Sequence, residues 1–250
     1  MIASSRPNPM PFVARWRSNI LLAPPFLISI IFFGCLSLLV SLFDRDGQIQ
    51  FKIARWWARA SVFFAASRLT VVGEENLRHP GPLVYASNHT SYMDTPVVFS
   101  ALPNQFRILA KVELWKIPFI GWYLQRSGQI PINTENPRAT LSSLSAGVKA
   151  LRSGMPVFVF PEGGRTPDGH TRTFLNGAAY LAIRAQVPVV PIALIGAYDL
   201  LPIHTRHFHP TALKLVAGTP IQSAGLTIRQ ADQLTDQIHK AIDELIRKNS

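Results

Sequence analysis

His89 and Asp94, five residues apart, are the side chains of this sequence best suited to proton transfer. They follow an apolar run over residues 83–86 that has the length of a buried strand. With His89 at the strand exit and Asp94 in the first turn of a helix, the carboxylate can fold back onto the imidazole. Such a carboxylate fixes the imidazole tautomer and leaves the other ring nitrogen free to accept a proton. The pair therefore indicates a general base, although an isolated match of this kind is also typical of a surface turn.

The residues around this pair indicate where the helix begins. Thr90 or Ser91 is predicted to cap it, because either hydroxyl can accept a hydrogen bond from a backbone N–H of the first turn. Pro96 suits that first turn, where its missing N–H would have no intrahelical partner. The prediction is therefore a strand, a polar loop with His89, and a helix with Asp94.

A second polar stretch, VFVFPEGGRT over residues 157–166, ends another apolar run. Gly163 and Gly164 allow backbone N–H groups to approach an anion closely. Arg165 adds a permanent cation whose planar fork suits phosphate, and Glu162 is predicted to orient that guanidinium. The simpler alternative for this motif alone is a tight turn with a surface ion pair. The Lys-Ser/Thr ending of a nucleotide P-loop is missing, which argues against ATP chemistry.

The elements that must position these residues alternate along the chain. Helical spacing of apolar residues occurs over residues 141–151, with Gly154 placed to end that helix, and again over 178–185 and 228–245. This alternation predicts an α/β domain with a mixed β-sheet flanked by helices, and its strand ends would bring both polar stretches to one cleft. The predicted strands are residues 69–72, 83–86, 107–110, 129–132, 157–160, 189–194 and 213–216.

The composition limits the classes of molecule that this protein is expected to bind. The 250 residues are 48% hydrophobic and 16% charged, and the net charge is +11. A basic and apolar protein fits an anionic membrane surface. Nucleic acid is not expected, because the sequence has no zinc-finger spacing, no RNP-like motif and no dense Lys/Arg block. The single cysteine, Cys35, excludes an internal disulfide and a multi-cysteine metal site.

The N-terminal third divides into two segments. Residues 1–17 are rich in proline and contain arginines but no acid, so a basic flexible tail is predicted. Residues 18–43 contain no charged side chain and are long enough for a bilayer, which takes about 20 apolar residues. We predict that residues 18–67 form a membrane-embedded or interfacial helical segment and that residues 68–250 form the α/β domain. Whether the apolar stretch crosses the membrane or dips into one leaflet is left open.

The end of that segment combines basic and aromatic residues. Lys52, Arg55 and Arg59 lie on one face of a predicted helix, and Trp56 and Trp57 have the amphipathic character of interface anchors. The sequence favours an interfacial helix here. The alternative is an ordinary amphipathic helix packed on the domain.

Four blocks of the sequence resemble, in order, those of the glycerolipid acyltransferase family. Residues 88–94, NHTSYMD, resemble the family's NHxxxxD signature, and residues 160–166, FPEGGRT, resemble its FPEGTR block. Residues 111–128, which begin KVEL, resemble its Lys-x-Glu-Leu…Pro…Gly segment, and residues 187–192, VPVVPI, resemble its final Val-Pro-x-x-Pro block. The resemblance covers most of the chain from residue 68 to about residue 197.

The resemblance implies transfer of an acyl group from acyl-carrier protein or coenzyme A to the hydroxyl of 1-acylglycerol-3-phosphate, which gives phosphatidic acid, without metal or cofactor. It implies that His89 takes the hydroxyl proton while Asp94 holds His89, and that Arg165 and Lys111 grip the acceptor phosphate. It also implies a location on the cytoplasmic side of the inner membrane. The implied substrate-binding residues are Lys111, Glu162, Gly163, Gly164 and Arg165.

Several departures from the family pattern concern the presumed head-group side. Gly164 stands where Thr is usual, Asn133-Thr134 where Asp-Arg is common, and Asn176 where Lys is frequent. A lyso-aminolipid without phosphate therefore remains an alternative acceptor, and a non-catalytic membrane-binding relative is the alternative class. An α/β hydrolase is not expected, because a G-x-S-x-G elbow is missing.

The histidine-rich residues 204–209 suggest a metal cluster at first sight. Neither a carboxylate nor a cysteine lies nearby in the sequence, so a basic loop is the favoured interpretation.

Overall fold

The computed structural model describes residues 12–44 and 46–250. The first part of the predicted tail, residues 1–11, lies outside the described residues. Residues 12–17 are helical rather than part of a flexible tail. The physical reason is local: residues 12–22 contain neither proline nor glycine, so the helix runs on towards the N-terminus.

The seven predicted strands are confirmed. They form one sheet in the order β1-β7-β6-β2-β5-β3-β4. All neighbouring strands pair in parallel except β6 and β7, so the sheet is mixed, as predicted. The carboxyl ends of β2, β3, β4, β5 and β6 therefore meet at one edge. The strands are β1 (Arg68–Val72), β2 (Val84–Ser87), β3 (Arg107–Lys111), β4 (Ile130–Ile132), β5 (Val157–Val159), β6 (Val189–Ile195) and β7 (Ala212–Ala217).

Helices cover both faces of the sheet, and the described residues form ten of them. They are α1 (Phe12–Trp16), α2 (Ala23–Val40), α3 (Gln48–Phe64), α4 (Glu74–Leu77), α5 (Asp94–Ala101), α6 (Ile120–Arg126), α7 (Pro137–Arg152), α8 (Gly177–Ala185), α9 (Ala197–Leu200) and α10 (Ala231–Asn249). A π-helical stretch, Arg17–Leu22, joins α1 to α2, and 3₁₀ turns occupy Val112–Lys116 and Ile228–Gln230.

The core has two halves, one on each face of the sheet. Tyr85 and Phe158 point to the half that contains α3 and α5. Val84 and Val157, their neighbours on the same strands, point to the half that contains α7, α8 and α10. This division follows from the alternation of side chains along a strand. Because both faces are covered, the central strands are apolar throughout, and their ends are the places left for polar side chains.

Capping residues define α7. Asn136 accepts hydrogen bonds from the backbone N–H groups of Arg138 and Ala139, and Pro137 occupies the first turn. After the helix ends, Gly154 adopts a positive φ of 89°, which confirms its predicted role at the C-terminus.

The N-terminal helix turns small polar side chains towards the domain. Within the stretch from Phe12 to Val40, Ser18, Ser29 and Ser37 are buried, whereas the large apolar side chains are mostly exposed. The oxygen of Ser18 accepts a hydrogen bond from the backbone N–H of Phe208, 2.8 Å away. By length and composition this is the one helix among the described residues that could cross a membrane.

Helix α3 packs on the α/β domain through one face. Phe51 lies against Phe99 of α5 and against Phe106, with ring centroids 6.1 and 5.7 Å away. Trp56 and Lys52 point outwards and are exposed. The structure therefore contains the packed amphipathic helix that was the alternative to an interfacial one. Lys52, Trp56 and Arg59 are exposed on its outer face, whereas Trp57 packs against the core. Because α3 shares the core of the domain, residue 68 is no packing boundary.

Candidate active site

The loop between β2 and α5 brings His89 and Asp94 together. Nδ1 of His89 lies 2.8 Å from Oδ2 of Asp94, and the side chains are 11% and 0% exposed. In the part of the chain that the structure describes, Nε2 of His89 has no hydrogen-bond partner. The predicted pair is therefore formed with the geometry of a general base, because one nitrogen is fixed by a carboxylate and the other is free.

Asp94, rather than a hydroxyl, organises the start of α5. Its Oδ2 accepts hydrogen bonds from the backbone N–H groups of Thr90 and Ser91, at 2.7 and 2.8 Å. The predicted cap by Thr90 or Ser91 is wrong, because α5 begins at Asp94 and Met93 is the residue before it. The hydroxyl of Ser91 accepts a hydrogen bond from the N–H of Met93, outside the helix, and donates to the carbonyl of Leu201. Pro96 lies in the first turn, as predicted.

Burial and stacking shape the basicity of His89. The ring of Phe160 stacks on the imidazole, with centroids 3.8 Å apart and planes 12° from parallel. Burial lowers the pKa of His89, because it penalises the imidazolium; Asp94 opposes this shift and Arg165 adds to it. The imidazole is therefore neutral and able to accept a proton near neutral pH.

Backbone and amide hydrogen bonds tie this loop to the two neighbouring strand ends. The side chain of Asn88 donates to the carbonyl of Leu194 and accepts from its N–H, at 2.9 and 2.8 Å. The N–H of Thr166 donates to the carbonyl of His89, 2.9 Å away. The loop after β2 is thus held to β6 on one side and to the loop after β5 on the other, which confirms that the two polar stretches meet.

Glu162 does not orient Arg165, contrary to the prediction. Its Oε1 accepts a hydrogen bond from the backbone N–H of His89 at 2.9 Å, and its Oε2 is buried with no partner among the described residues. Burial raises the pKa of Glu162 to about 7. The prediction failed because adjacency in sequence favours Arg165, whereas the parallel pairing of β2 and β5 turns the carboxylate towards His89.

Arg165 is held by other groups. Its Nε donates to the carbonyl of Ser91 at 3.0 Å, and its guanidinium carbon lies 4.6 Å from the ring centroid of Tyr92. Gly163 has a φ of +71°, and a Cβ there would come within 2.9 Å of the side chain of Leu175. A Cβ on Gly164 would meet nothing within 4 Å, so the space beside Arg165 is open.

Of the remaining residues predicted on the substrate side, one lies at this edge of the sheet and one does not. Lys111 ends β3 at the same sheet edge, with β5 between it and β2, and its side chain is exposed. Asn176 is not on the head-group side: its amide donates to Asp232 at 2.6 Å and accepts from Thr235 at 2.9 Å, both on α10. That departure from the family pattern is therefore a contact between helices.

The histidine-rich loop packs on the N-terminal helix. Nδ1 of His207 lies 3.0 Å from Oδ1 of Asn19, and the ring of Phe208 packs edge-on against Phe26. Among the described residues there is no group of three or more His, Cys, Asp or Glu side chains that could hold a metal ion.

Two aromatic residues of the site escaped the sequence analysis. The ring of Tyr92 contacts Arg165, and Phe160, predicted only as the end of a strand, stacks on His89. Each lies two residues before a predicted functional residue: Tyr92 before Asp94, and Phe160 before Glu162. An aromatic residue at such a position is the signal that could have found them. As a whole, the site can withdraw a proton from a hydroxyl group beside a cation suited to an anionic group.

The comparisons with known proteins agree with this geometry. A family model described as "Acyltransferase" matches residues 68–195. The chain is 32% identical to a 1-acyl-sn-glycerol-3-phosphate acyltransferase of Chlamydomonas reinhardtii, over 96% of this chain and 72% of that protein. It is also 32% identical to a chloroplastic 1-acyl-sn-glycerol-3-phosphate acyltransferase of Brassica napus, over 82% of this chain and 58% of that protein.

One solved structure shows the same fold. The crystal structure of the 1-acyl-sn-glycerophosphate acyltransferase PlsC from Thermotoga maritima superimposes with a TM-score of 0.78, over 94% of this chain and 98% of that one. The sequence identity is 24%, so this likeness concerns the fold.

Proposed function

The chain belongs to the acyltransferase family, and we propose that it transfers a fatty acyl group to the free hydroxyl of 1-acylglycerol-3-phosphate. The acyl donor is a thioester of acyl-carrier protein or coenzyme A, and the product is phosphatidic acid. Relatives named as 1-acyl-sn-glycerol-3-phosphate acyltransferases support the acceptor. The observation that carries the proposal is the buried His89–Asp94 pair with its free Nε2.

In this reaction the acceptor hydroxyl donates its proton to Nε2 of His89 while its oxygen attacks the thioester carbonyl carbon. Asp94, bonded to Nδ1, stabilises the imidazolium that forms. The carbon–sulfur bond then breaks, an ester bond remains, and the imidazolium returns the proton to the departing thiolate. The chain needs neither metal nor cofactor for these steps, and the donor is a co-substrate.

We propose that the acceptor phosphate binds to Arg165, in the open space beside Gly164. The guanidinium makes no ion pair with any carboxylate in the described part of the chain. Its Nε is used by Ser91, so the two terminal nitrogens can receive an anion bidentately. Lys111, at the same edge of the sheet, adds positive charge along the approach to this space.

We also propose that the chain works at the cytoplasmic face of the cytoplasmic membrane, the inner one where there are two. The support is the arrangement of the N-terminal helix, whose apolar residues point away from the domain. Burying such side chains in lipid is favourable by about 25 cal/mol per Å² of apolar surface. Basic residues on both sides of the apolar stretch, Arg17 before it and Lys52 on α3 after it, suit anionic lipid head groups.

A phosphate-free lysolipid is the second candidate acceptor. The observation that favours it is the missing side chain at Gly164, where an added Cβ would meet nothing within 4 Å, so a contact to the head group is lost. The catalytic pair would serve either acceptor, because it acts on the hydroxyl alone.

Acyl transfer by the full-length protein in liposomes tests the proposal. Long-chain acyl-carrier protein or acyl-coenzyme A is offered together with lysophosphatidic acid or with monoacylglycerol, which lacks the phosphate. We expect turnover of lysophosphatidic acid, and a loss of at least a thousandfold in His89→Ala. The matched control is His79→Ala, because His79 lies in the loop before β2, at the opposite edge of the sheet.

Three results would count against the proposal. Turnover of monoacylglycerol alone would support the proposed acyl transfer but reject lysophosphatidic acid as the acceptor. Equal losses in the two histidine variants would remove the role of His89. A folded protein without turnover of either acceptor would favour the non-catalytic relative.

A further inference from the structure

The guanidinium of Arg165 is held in an unusual way for a half-buried cation. In the described chain its nearest bonded partner is a backbone carbonyl, that of Ser91, and none of the ion pairs includes it. Burial lowers the pKa of Arg165, which means that the surroundings disfavour its charge. A cation in this position gains from any anion that binds beside it.

The second group that holds Arg165 is the ring of Tyr92, 4.6 Å from the guanidinium carbon. A cation is attracted to the face of an aromatic ring within about 6 Å. Tyr92 is 47% exposed, so the pair lies at the surface of the site rather than inside the core. The aromatic face positions the charge there without neutralising it.

The platform beneath this pair is rigid. Ser91, which accepts the hydrogen bond from Arg165, donates its own N–H to Asp94 and its hydroxyl to Leu201, at 2.8 and 2.7 Å. The same loop therefore fixes the base and the cation. The distance between His89 and Arg165 is thereby set by one short segment.

A carboxylate in place of the ring would hold Arg165 as well, but it would compete with the anion of the substrate. From this contrast we infer that Tyr92 is a positioning residue that sets the preference for a phosphate-bearing acceptor: it holds Arg165 in place while leaving its charge free. This inference rests on the proposed function. It adds a residue that acts through Arg165 and not on the reacting atoms.

The test compares Tyr92→Leu and Tyr92→Phe in the full-length protein in liposomes, with lysophosphatidic acid and monoacylglycerol as acceptors. We expect Tyr92→Leu to raise the KM for lysophosphatidic acid about three- to thirtyfold, with kcat changed less than twofold. Tyr92→Phe keeps the ring and should restore the wild-type KM. Any turnover of monoacylglycerol should be the same in all three proteins.

A charge variant and a folding control complete the design. Tyr92→Glu places a carboxylate beside Arg165 and should raise the KM for lysophosphatidic acid further than Tyr92→Leu does. Thermal unfolding shows whether each variant is folded, and Tyr92→Gln takes the place of Tyr92→Leu if the latter unfolds.

The outcomes separate this inference from the proposed function. A wild-type protein that does not use lysophosphatidic acid overturns the proposed function. A wild-type protein that uses it, with an unchanged KM in the folded Tyr92→Leu or Tyr92→Gln variant, overturns only the inference. A fall in kcat at constant KM, or an equal rise in KM in Tyr92→Phe, would instead assign Tyr92 a role in the loop structure.

Discussion

At the residue scale, a single oxygen atom of Asp94 both binds the catalytic histidine and holds the loop that precedes α5. Its Oδ2 accepts from Nδ1 of His89 and from the backbone N–H groups of Thr90 and Ser91. Three hydrogen bonds to one carboxylate oxygen hold the loop in its bent shape. The orientation of the base and the conformation of the loop are therefore properties of the same side chain.

Glu162 gives a prediction about pH and stability. Its pKa of about 7 in the folded protein lies above the ordinary value of 4.5, so the folded state retains a proton that the unfolded chain releases. The stabilising contribution is complete below about pH 4.5 and is lost as the pH rises through about 7. We expect Glu162→Gln, which keeps an acceptor for the N–H of His89, to remove this loss. The measurement is the unfolding temperature of both proteins between pH 5 and pH 8.

The control for that experiment is Glu135→Gln, since Glu135 is exposed and lies in the turn before α7. It should reproduce the wild-type dependence on pH. A Glu162→Gln protein whose unfolding temperature follows the wild-type curve would contradict the role given to Glu162.

The side-chain contact that the sequence predicted correctly joins two residues that are near each other in the chain. His89 and Asp94 are joined within one loop, so their spacing sufficed. Glu162 and Tyr92 have partners from the other polar stretch, more than 70 residues away. Their contacts depend on which strands are neighbours, and apolar runs do not encode the strand order.

At the scale of elements, Asn88 joins the end of β2 to β6. Replacing it with Ala leaves the N–H and the carbonyl of Leu194 buried without their side-chain partners. We expect Asn88→Ala to lower the free energy of unfolding by about 2–4 kcal/mol, as measured by denaturant unfolding. Asn104→Ala is the matched control, because Asn104 is exposed in the loop after α5. Similar losses in the two variants would show that the bridge to β6 contributes little.

The strands and long helices followed from sequence because each has a simple pattern. Continuous apolar runs identified β2 and β5, and apolar residues at helical spacing identified α7 and α10. The short helices α4 and α9 were not predicted. Each has four residues and begins after a glycine with positive φ, Gly73 or Gly196, so its start depends on a backbone turn rather than on periodicity.

At the scale of the whole molecule, the exposed apolar face of α2 should decide attachment to membranes. Ile28 and Phe32 are 65% and 59% exposed, and a Lys at both positions adds the cost of placing two charges in hydrocarbon. We expect Ile28→Lys/Phe32→Lys to lose cosedimentation with anionic vesicles at least tenfold while its unfolding temperature stays within about 2 °C of the wild type.

Leu141→Lys is the control for vesicle binding, because Leu141 is a similarly exposed apolar residue on α7, 53% exposed. It should sediment like the wild type. Unchanged sedimentation of the α2 variant, or an equal loss in Leu141→Lys, would show that the protein binds the membrane through another surface. The apolar composition of this segment predicted a membrane role, but the inward-facing serines could not be recognised without the domain on which they pack.

The bond between Ser18 and Phe208 joins residues 190 positions apart, and this separation has a consequence for synthesis of the chain. A ribosome adds about 5–20 residues per second, so Ser18 waits roughly 10–40 s for its partner. During that interval the nascent helix has neither a domain for its serines nor cover for its apolar side. A bilayer can provide that cover at once. We therefore expect targeting to begin while translation continues, so that the catalytic domain closes onto a helix that is already anchored.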